Sequence, residues 1–122
     1  MGGPCFQYVR PPYGEHEERM CPPCTDNFQV VPGGFEYDGI IWHSVEQAFQ
    51  SLKFPMGSTA QVEIERTTPR PNESEKSYSM RTWSLGQPRK DSSMREDWEQ
   101  VKVKVMTVLN IAKYASSVDY CF

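Results

Sequence analysis

The sequence predicts an α+β fold: a mainly α-helical single domain with a few short β-strands. Three observations predict it. Asp38-Gly39 is a two-residue turn signal between Phe35-Glu36-Tyr37 and Ile40-Ile41-Trp42, the pattern of a tight hairpin. Ser44 stands before a stretch in which Val45, Phe49 and Leu52 recur at i, i+4 and i+7, the pattern of a capped helix with one apolar stripe. Trp98, Val101, Val105, Val108, Leu109 and Ala112 then keep a helical period over about four turns.

Taken in order, Phe6-Gln7-Tyr8-Val9 reads as a short strand bounded by Pro11-Pro12-Tyr13-Gly14. Glu15 to Cys24 reads as an exposed loop. Asn27 to Val31 reads as a strand, and Pro32-Gly33-Gly34 as the turn before the hairpin. The helix capped by Ser44 is expected from Val45 to Phe54, where Pro55 and Gly57 end it. A short helix is expected around Ala60 to Arg66, broken by Thr67-Thr68-Pro69-Arg70-Pro71. Asn72 is expected to cap another helix toward Leu85, with Gly86 as its stop. Gln87 to Ser93 is a polar loop. The last helix carries Glu96 and Asp97 at its start and Lys113 near its end, a charge order that complements the macrodipole. Asp119 to Phe122 forms a short tail.

Bulk composition narrows the function. The 122 residues fit one domain, large enough for a single core with little to spare. A net charge of −3 excludes a molecule that binds nucleic acid through its overall electrostatics. No apolar run approaches a membrane-spanning length, and Met1-Gly2-Gly3-Pro4-Cys5 lacks the basic and apolar regions of a secretory signal. Phe6 occupies the position where a myristoylation motif wants Ser or Thr. A cytoplasmic protein with no membrane partner is therefore expected. In that compartment Cys5, Cys21, Cys24 and Cys121 are expected as free thiols. Cys21-Pro22-Pro23-Cys24 has CxxC spacing, but its two prolines make a poor start for the helix a redox site needs. A zinc site there would need two more ligands from Cys5, His16 or Cys121, none at a recognisable spacing. Neither a metal nor a cofactor is expected, and no Gly-rich phosphate loop is present.

Four stretches in order resemble the NADAR (YbiA-like) family of N-glycosidases. The first is Pro12-Tyr13-Gly14-Glu15 followed by Asp26-Asn27-Phe28. The second, and most specific, is Trp42-His43-Ser44-Val45-Glu46-Gln47-Ala48-Phe49-Gln50-Ser51-Leu52-Lys53-Phe54, against a family pattern Trp-x-Ser/Thr-x-Glu-x-x-Phe-Gln-x-x-Lys-Phe. The third is Ser84-Leu85-Gly86, and the fourth Met94-Arg95-Glu96-Asp97-Trp98 with Ala112-Lys113-Tyr114. Two departures stand out. Gln87 occupies a position where the family commonly has a basic residue, a role open to Arg89 or Lys90. The single domain, residues 1–122, is also expected to be shortened at its C-terminus, where the family carries a late acidic residue and a Trp-Gly segment, and to carry an inserted Cys/Pro-rich loop over 15–26.

The resemblance implies hydrolysis of an N-glycosidic bond between ribose and a nitrogenous base or amino-pyrimidine. Phosphoribosyl intermediates of riboflavin synthesis and ADP-ribosylated nucleobases, including those in nucleic acid, are the implied substrates. Such a bond breaks through a cation-like sugar C1, which a carboxylate stabilises while taking a proton from the attacking water. The resemblance makes Glu46 that catalytic carboxylate; spacing alone reads it as a first-turn acid facing the helix dipole. Gln50 and Lys53 share its stripe. Lys53, Arg81 and Arg89 are candidate phosphate partners. Trp42 reads equally as a stacking platform or as core, Trp83 as a pocket residue, and Trp98 as core. Asn27 either bonds a ribose hydroxyl or closes its own turn, and Tyr13 with Gly14 is expected to line the same pocket. The alternative reading is a module that binds ADP-ribose or a nucleotide without turnover.

Overall fold

The computed structural model describes the backbone of residues 6–9 and 17–20 and the full structure of 26–116. Its elements are strands β1 (Phe6–Val9), β2 (Glu17–Met20), β3 (Phe35–Tyr37) and β4 (Ile40–Trp42), then helices α1 (Val45–Leu52), α2 (Thr59–Glu65), α3 (Glu75–Leu85) and α4 (Trp98–Ala115). Strands β1 and β2 pair antiparallel, as do β3 and β4, giving two two-stranded sheets among the described residues.

Asp38 and Gly39 turn the chain between β3 and β4. Both have positive φ, 55° and 77°, the left-handed pair that matches the twist of a tight hairpin. The register sets Phe35 opposite Trp42. Both are buried, at 1% and 0% exposure, while the intervening Ile41 points outward at 51%, as the period of two requires.

Ser44 starts α1 in extended conformation, and its side chain accepts from the Gln47 backbone N–H. All eight residues of α1 are buried. Val45, Ala48, Phe49 and Leu52 enter a core with Phe35, Trp42, Trp98, Val105 and Leu109. Phe49 and Trp98 meet at 5.0 Å between ring centroids, so Trp98 is core as expected. The polar side of α1 faces α2 and α3 instead of water. Gln47 Nε2 donates to the carbonyls of Ile64, Glu65 and Thr67, each at 3.1 Å, and its Oε1 accepts from His43 N–H at 2.7 Å. Ser51 Oγ donates to the Gln61 carbonyl at 2.9 Å. Buried polar groups are tolerable because nearly all are paired.

The fold corrects three expectations. Asn27 to Val31 is no strand: Asp26 accepts the Phe28 N–H through its side chain and the Gln29 N–H through its carbonyl, a local turn that competes with extended pairing. Part of the expected Glu15–Cys24 loop is strand β2, within the 15–26 segment; Glu17-Glu18-Arg19-Met20 carries no apolar alternation to signal it. Helix α3 starts two residues later than expected, because Ser74 rather than Asn72 caps it by accepting from Ser77 N–H at 3.1 Å. Asn72 sits at φ 63°, in the turn before the helix. No helix among the described residues is long and apolar enough to cross a membrane.

Candidate functional site

The Ser44 cap puts Glu46 in the first turn of α1, with Gln50 one turn on and Lys53 at the C-cap. Glu46 is 1% exposed and Gln50 3%. Gln50 Nε2 donates to Glu46 Oε1 at 2.8 Å. Glu46 Oε2 and Gln50 Oε1 are both buried without a protein partner. The Glu46 backbone N–H donates to the Asn27 carbonyl at 3.0 Å, which ties the Asp26 turn to the start of α1. Lys53 Nζ donates to the Gly86 carbonyl at 3.3 Å, which ties the end of α1 to the end of α3.

Burial raises the Glu46 carboxyl above its ordinary value; the Gln50 hydrogen bond and the Lys53 charge oppose the rise, and Asp26 adds to it. Burial also lowers the Lys53 ammonium, with Glu46 pulling it back up. A desolvated carboxylate and a desolvated ammonium on one stripe are the kind of perturbed groups that gather at functional sites. Burial lowers His43 as well; its ring meets Tyr78 edge-on.

A cleft of about 430 Å³ opens beside this stripe, lined by Lys53, Gly86, Gln87, Arg89, Ser92 and Ser93 among others. Lys53 and Arg89 thus share one concavity, and Arg89 lies two positions beyond Gln87. Arg89 is currently held by Asp91, at 2.8 Å, and by Glu63.

The other candidates are spread more widely. Asn27 reaches Glu46 through its backbone. Trp42 lies wholly in the core, with its indole N–H donating to the Tyr37 carbonyl at 3.3 Å, so the ring has no open face for stacking. Trp83 is 42% exposed on α3. Arg81 faces a different hollow, of about 600 Å³, with Glu63, Thr67, Arg70 and Met80. Its guanidinium is engaged by both Glu73 oxygens and by the Thr68 carbonyl. Tyr13 and Gly14 lie outside the described residues, as do Cys21 and Cys24. Among the described residues, no group of three or more His, Cys, Asp or Glu is placed to share a metal ion.

Two residues near the site do more than the structural roles their sequence positions suggest. Gly86, read as a helix stop, touches Gln50 and lines the cleft. Lys113, read as a dipole partner, is fully buried and donates to the Asp26 carbonyl at 3.0 Å. Gly86 did have a signal, the Leu-Gly pair of the motif resemblance; Lys113 had its place in Ala112-Lys113-Tyr114.

No protein-family model matches the chain, and no curated protein sequence matches it. Among solved structures it is similar to the E. coli protein YbiA, determined by NMR, with a TM-score of 0.61 and 27% identity. The match covers 80% of this chain and 50% of YbiA, so the chain spans about half of YbiA's length. Hairpin, buried central helix and flanking helices thus make a small α+β domain with a YbiA-like fold.

Proposed function

We propose that the chain hydrolyses an N-glycosidic bond between a phosphoribosyl or ADP-ribosyl group and a nitrogenous base or amino-pyrimidine, with Glu46 as the essential carboxylate. The observation that carries this reading is the Glu46 carboxyl itself: buried, held at Oε1 by Gln50, and with Oε2 unmatched. Held at one oxygen, the group has the other to offer. Its ionised form stabilises positive charge developing at the sugar C1 and accepts a proton from the attacking water. Water oxygen bonds to C1, the C1–N bond breaks, and the leaving nitrogen takes up a proton. Lys53 and Arg89 line the adjoining cleft, where phosphate oxygens would replace the carboxylates now on Arg89. Trp83 is the exposed aromatic on α3 with a face to offer a base.

The test is release of free base by wild type and Glu46→Gln, with phosphoribosylamino-pyrimidines and ADP-ribosyl-guanine DNA as substrates. Release by wild type alone supports the reading and names the substrate; equal release by both proteins ends it. A second reading, a nucleotide-binding module without turnover, is favoured by one observation: Glu46 is 1% exposed and is not among the residues that line the adjoining cleft. Retained ADP-ribose binding by both proteins, with no release by either, supports that reading instead.

A further inference from the structure

Gly86 caps α3 at φ −86° and ψ 0°, a conformation open to any L-residue. Backbone freedom is therefore not why a glycine stands there. Space is. A Cβ on Gly86 would lie 2.8 Å from Gln50 Cδ and 3.0 Å from Gln50 Cβ, and closer still to Gln50 Oε1. The end of α3 is fixed in that place from its own side, since Gly86 N–H donates to Thr82 and Trp83 carbonyls at 3.2 and 3.0 Å. Lys53 grips it from the other side through the Gly86 carbonyl.

The amide pressed against Gly86 is the one that holds Glu46. Its nitrogen faces Glu46 Oε1; the reverse orientation would set two acceptors against each other whenever Glu46 is ionised. The amide oxygen is left against Gly86, buried and without a donor. A side chain that accepts an unsatisfied oxygen there is being held by packing.

We propose that Gly86 is a positioning residue of the Glu46 site: the absent side chain lets the end of α3 press on the Gln50 amide and keep its nitrogen on Glu46. The catalytic purpose rests on the N-glycosidase reading, but the contact can be tested without turnover. Among the described residues, the charges that bear on Glu46 are Lys53, on its own helix, and Asp26, in the preceding turn. Lys113 of α4 reaches the carbonyl of that same Asp26. A substitution at Gly86 or Gln50 removes none of these charges and leaves the Gly86 carbonyl that Lys53 holds in the chain.

The experiment is titration of the Glu46 carboxyl by carbon-13 NMR in wild type, Gly86→Ala, Gln50→Ala and the double variant, with Glu46→Gln identifying the resonance. Gly86→Ala displaces the amide, and Glu46 loses a bond that favours its charged form. Its midpoint should move up by about one unit. Gln50→Ala should move it similarly. In the Gln50→Ala background the contacts with the amide are gone and only the 3.0 Å contact with the residue-50 Cβ remains, which a shift of a few tenths of an ångström relieves, so the double variant should titrate as Gln50→Ala does. Should Gly86→Ala alone fail to fold, the double variant should recover the cooperative melt. An unchanged midpoint in Gly86→Ala overturns the proposal. So does an equal added shift in both backgrounds, or a double variant that also fails to fold. None of these outcomes depends on base release.

Discussion

Gln50 Nε2 lies 2.8 Å from Glu46 Oε1, one turn apart on a helix with no exposed face. A carboxyl in that setting is pulled in two directions. Burial favours its protonated form, and the amide donor favours its ionised form. The net direction is upward, so the group stays protonated to a higher pH than a solvated glutamate. A carboxylate in this position is a stronger base, and exerts a stronger field on a nearby cation, than one in water.

The first prediction follows from that shift. Below the ordinary value of 4.5, folded and unfolded chains both carry the proton at Glu46. Above it the unfolded chain releases the proton while the folded chain keeps it, so the native state binds more protons and stability falls as pH rises. The loss is complete once pH passes the raised native value. Glu46→Gln removes this dependence. The melting temperature of Glu46→Gln minus that of wild type should therefore grow from pH 4 upward and then level off, measured by circular dichroism. A difference independent of pH would mean Glu46 is not desolvated.

The second prediction concerns Gln47, whose side-chain amide meets three carbonyls and one N–H. Gln47→Leu keeps the volume and removes all four of these bonds. Thr67 O retains a donor in the Tyr78 hydroxyl, at 2.6 Å, and Ile64 O retains the Thr67 N–H at 3.1 Å, but Glu65 O and His43 N lose their partner. A destabilisation of about 2–4 kcal/mol is expected, read as a lower urea midpoint at unchanged slope. A change below about 0.5 kcal/mol would show that those groups are hydrated or already paired.

Much of this was legible in the sequence, for a local reason. Helical spacing alone puts Glu46, Gln50 and Lys53 on one stripe, and the Ser44 cap and the Asp38-Gly39 turn act within four residues. What escaped were partners distant along the chain. Gln47 carries no signal of its own in the sequence, because the carbonyls it meets lie on α2. Gly86 looked like a stop signal, because the amide it accommodates lies on another helix. Asn27 to Val31 misled because its apolar residues suggest a strand, while Asp26 closes a turn through its own carboxylate. Asn72 was a plausible cap two residues ahead of a better one, Ser74. Trp42 was open between core and stacking platform until its register opposite Phe35 turned it inward.

The third prediction tests the joint between hairpin, α1 and α4. Trp98 is 4% exposed and packs against Phe49 with the rings tilted by 57°. Trp98→Ala should cost about 3–5 kcal/mol, and Trp98→Phe, which keeps an aromatic contact, clearly less. Denaturation of the two variants side by side measures this. Equal losses would mean that indole volume rather than the ring contact matters, and near-zero losses would remove Trp98 from the core.

The fourth prediction separates the two phosphate candidates in the cleft. Lys53 is partly desolvated and tied to the Gly86 carbonyl, so its cation is already positioned. Arg89 must exchange Asp91 and Glu63 for a ligand, and those exposed pairs are worth little in water. Lys53→Met should therefore weaken binding of ribose 5-phosphate or ADP-ribose by roughly tenfold or more, the loss of one charge-assisted contact of about 1.5 kcal/mol. Arg89→Met should weaken it less, because part of its interaction is offset by releasing two carboxylates. Titration calorimetry at two salt concentrations reads both effects, and the Arg89 contribution should fade more with salt, since it is the more exposed cation of the cleft's rim. Wild-type affinity in both variants would move the phosphate elsewhere, and the hollow beside Arg81 and Arg70 would be the next place to look.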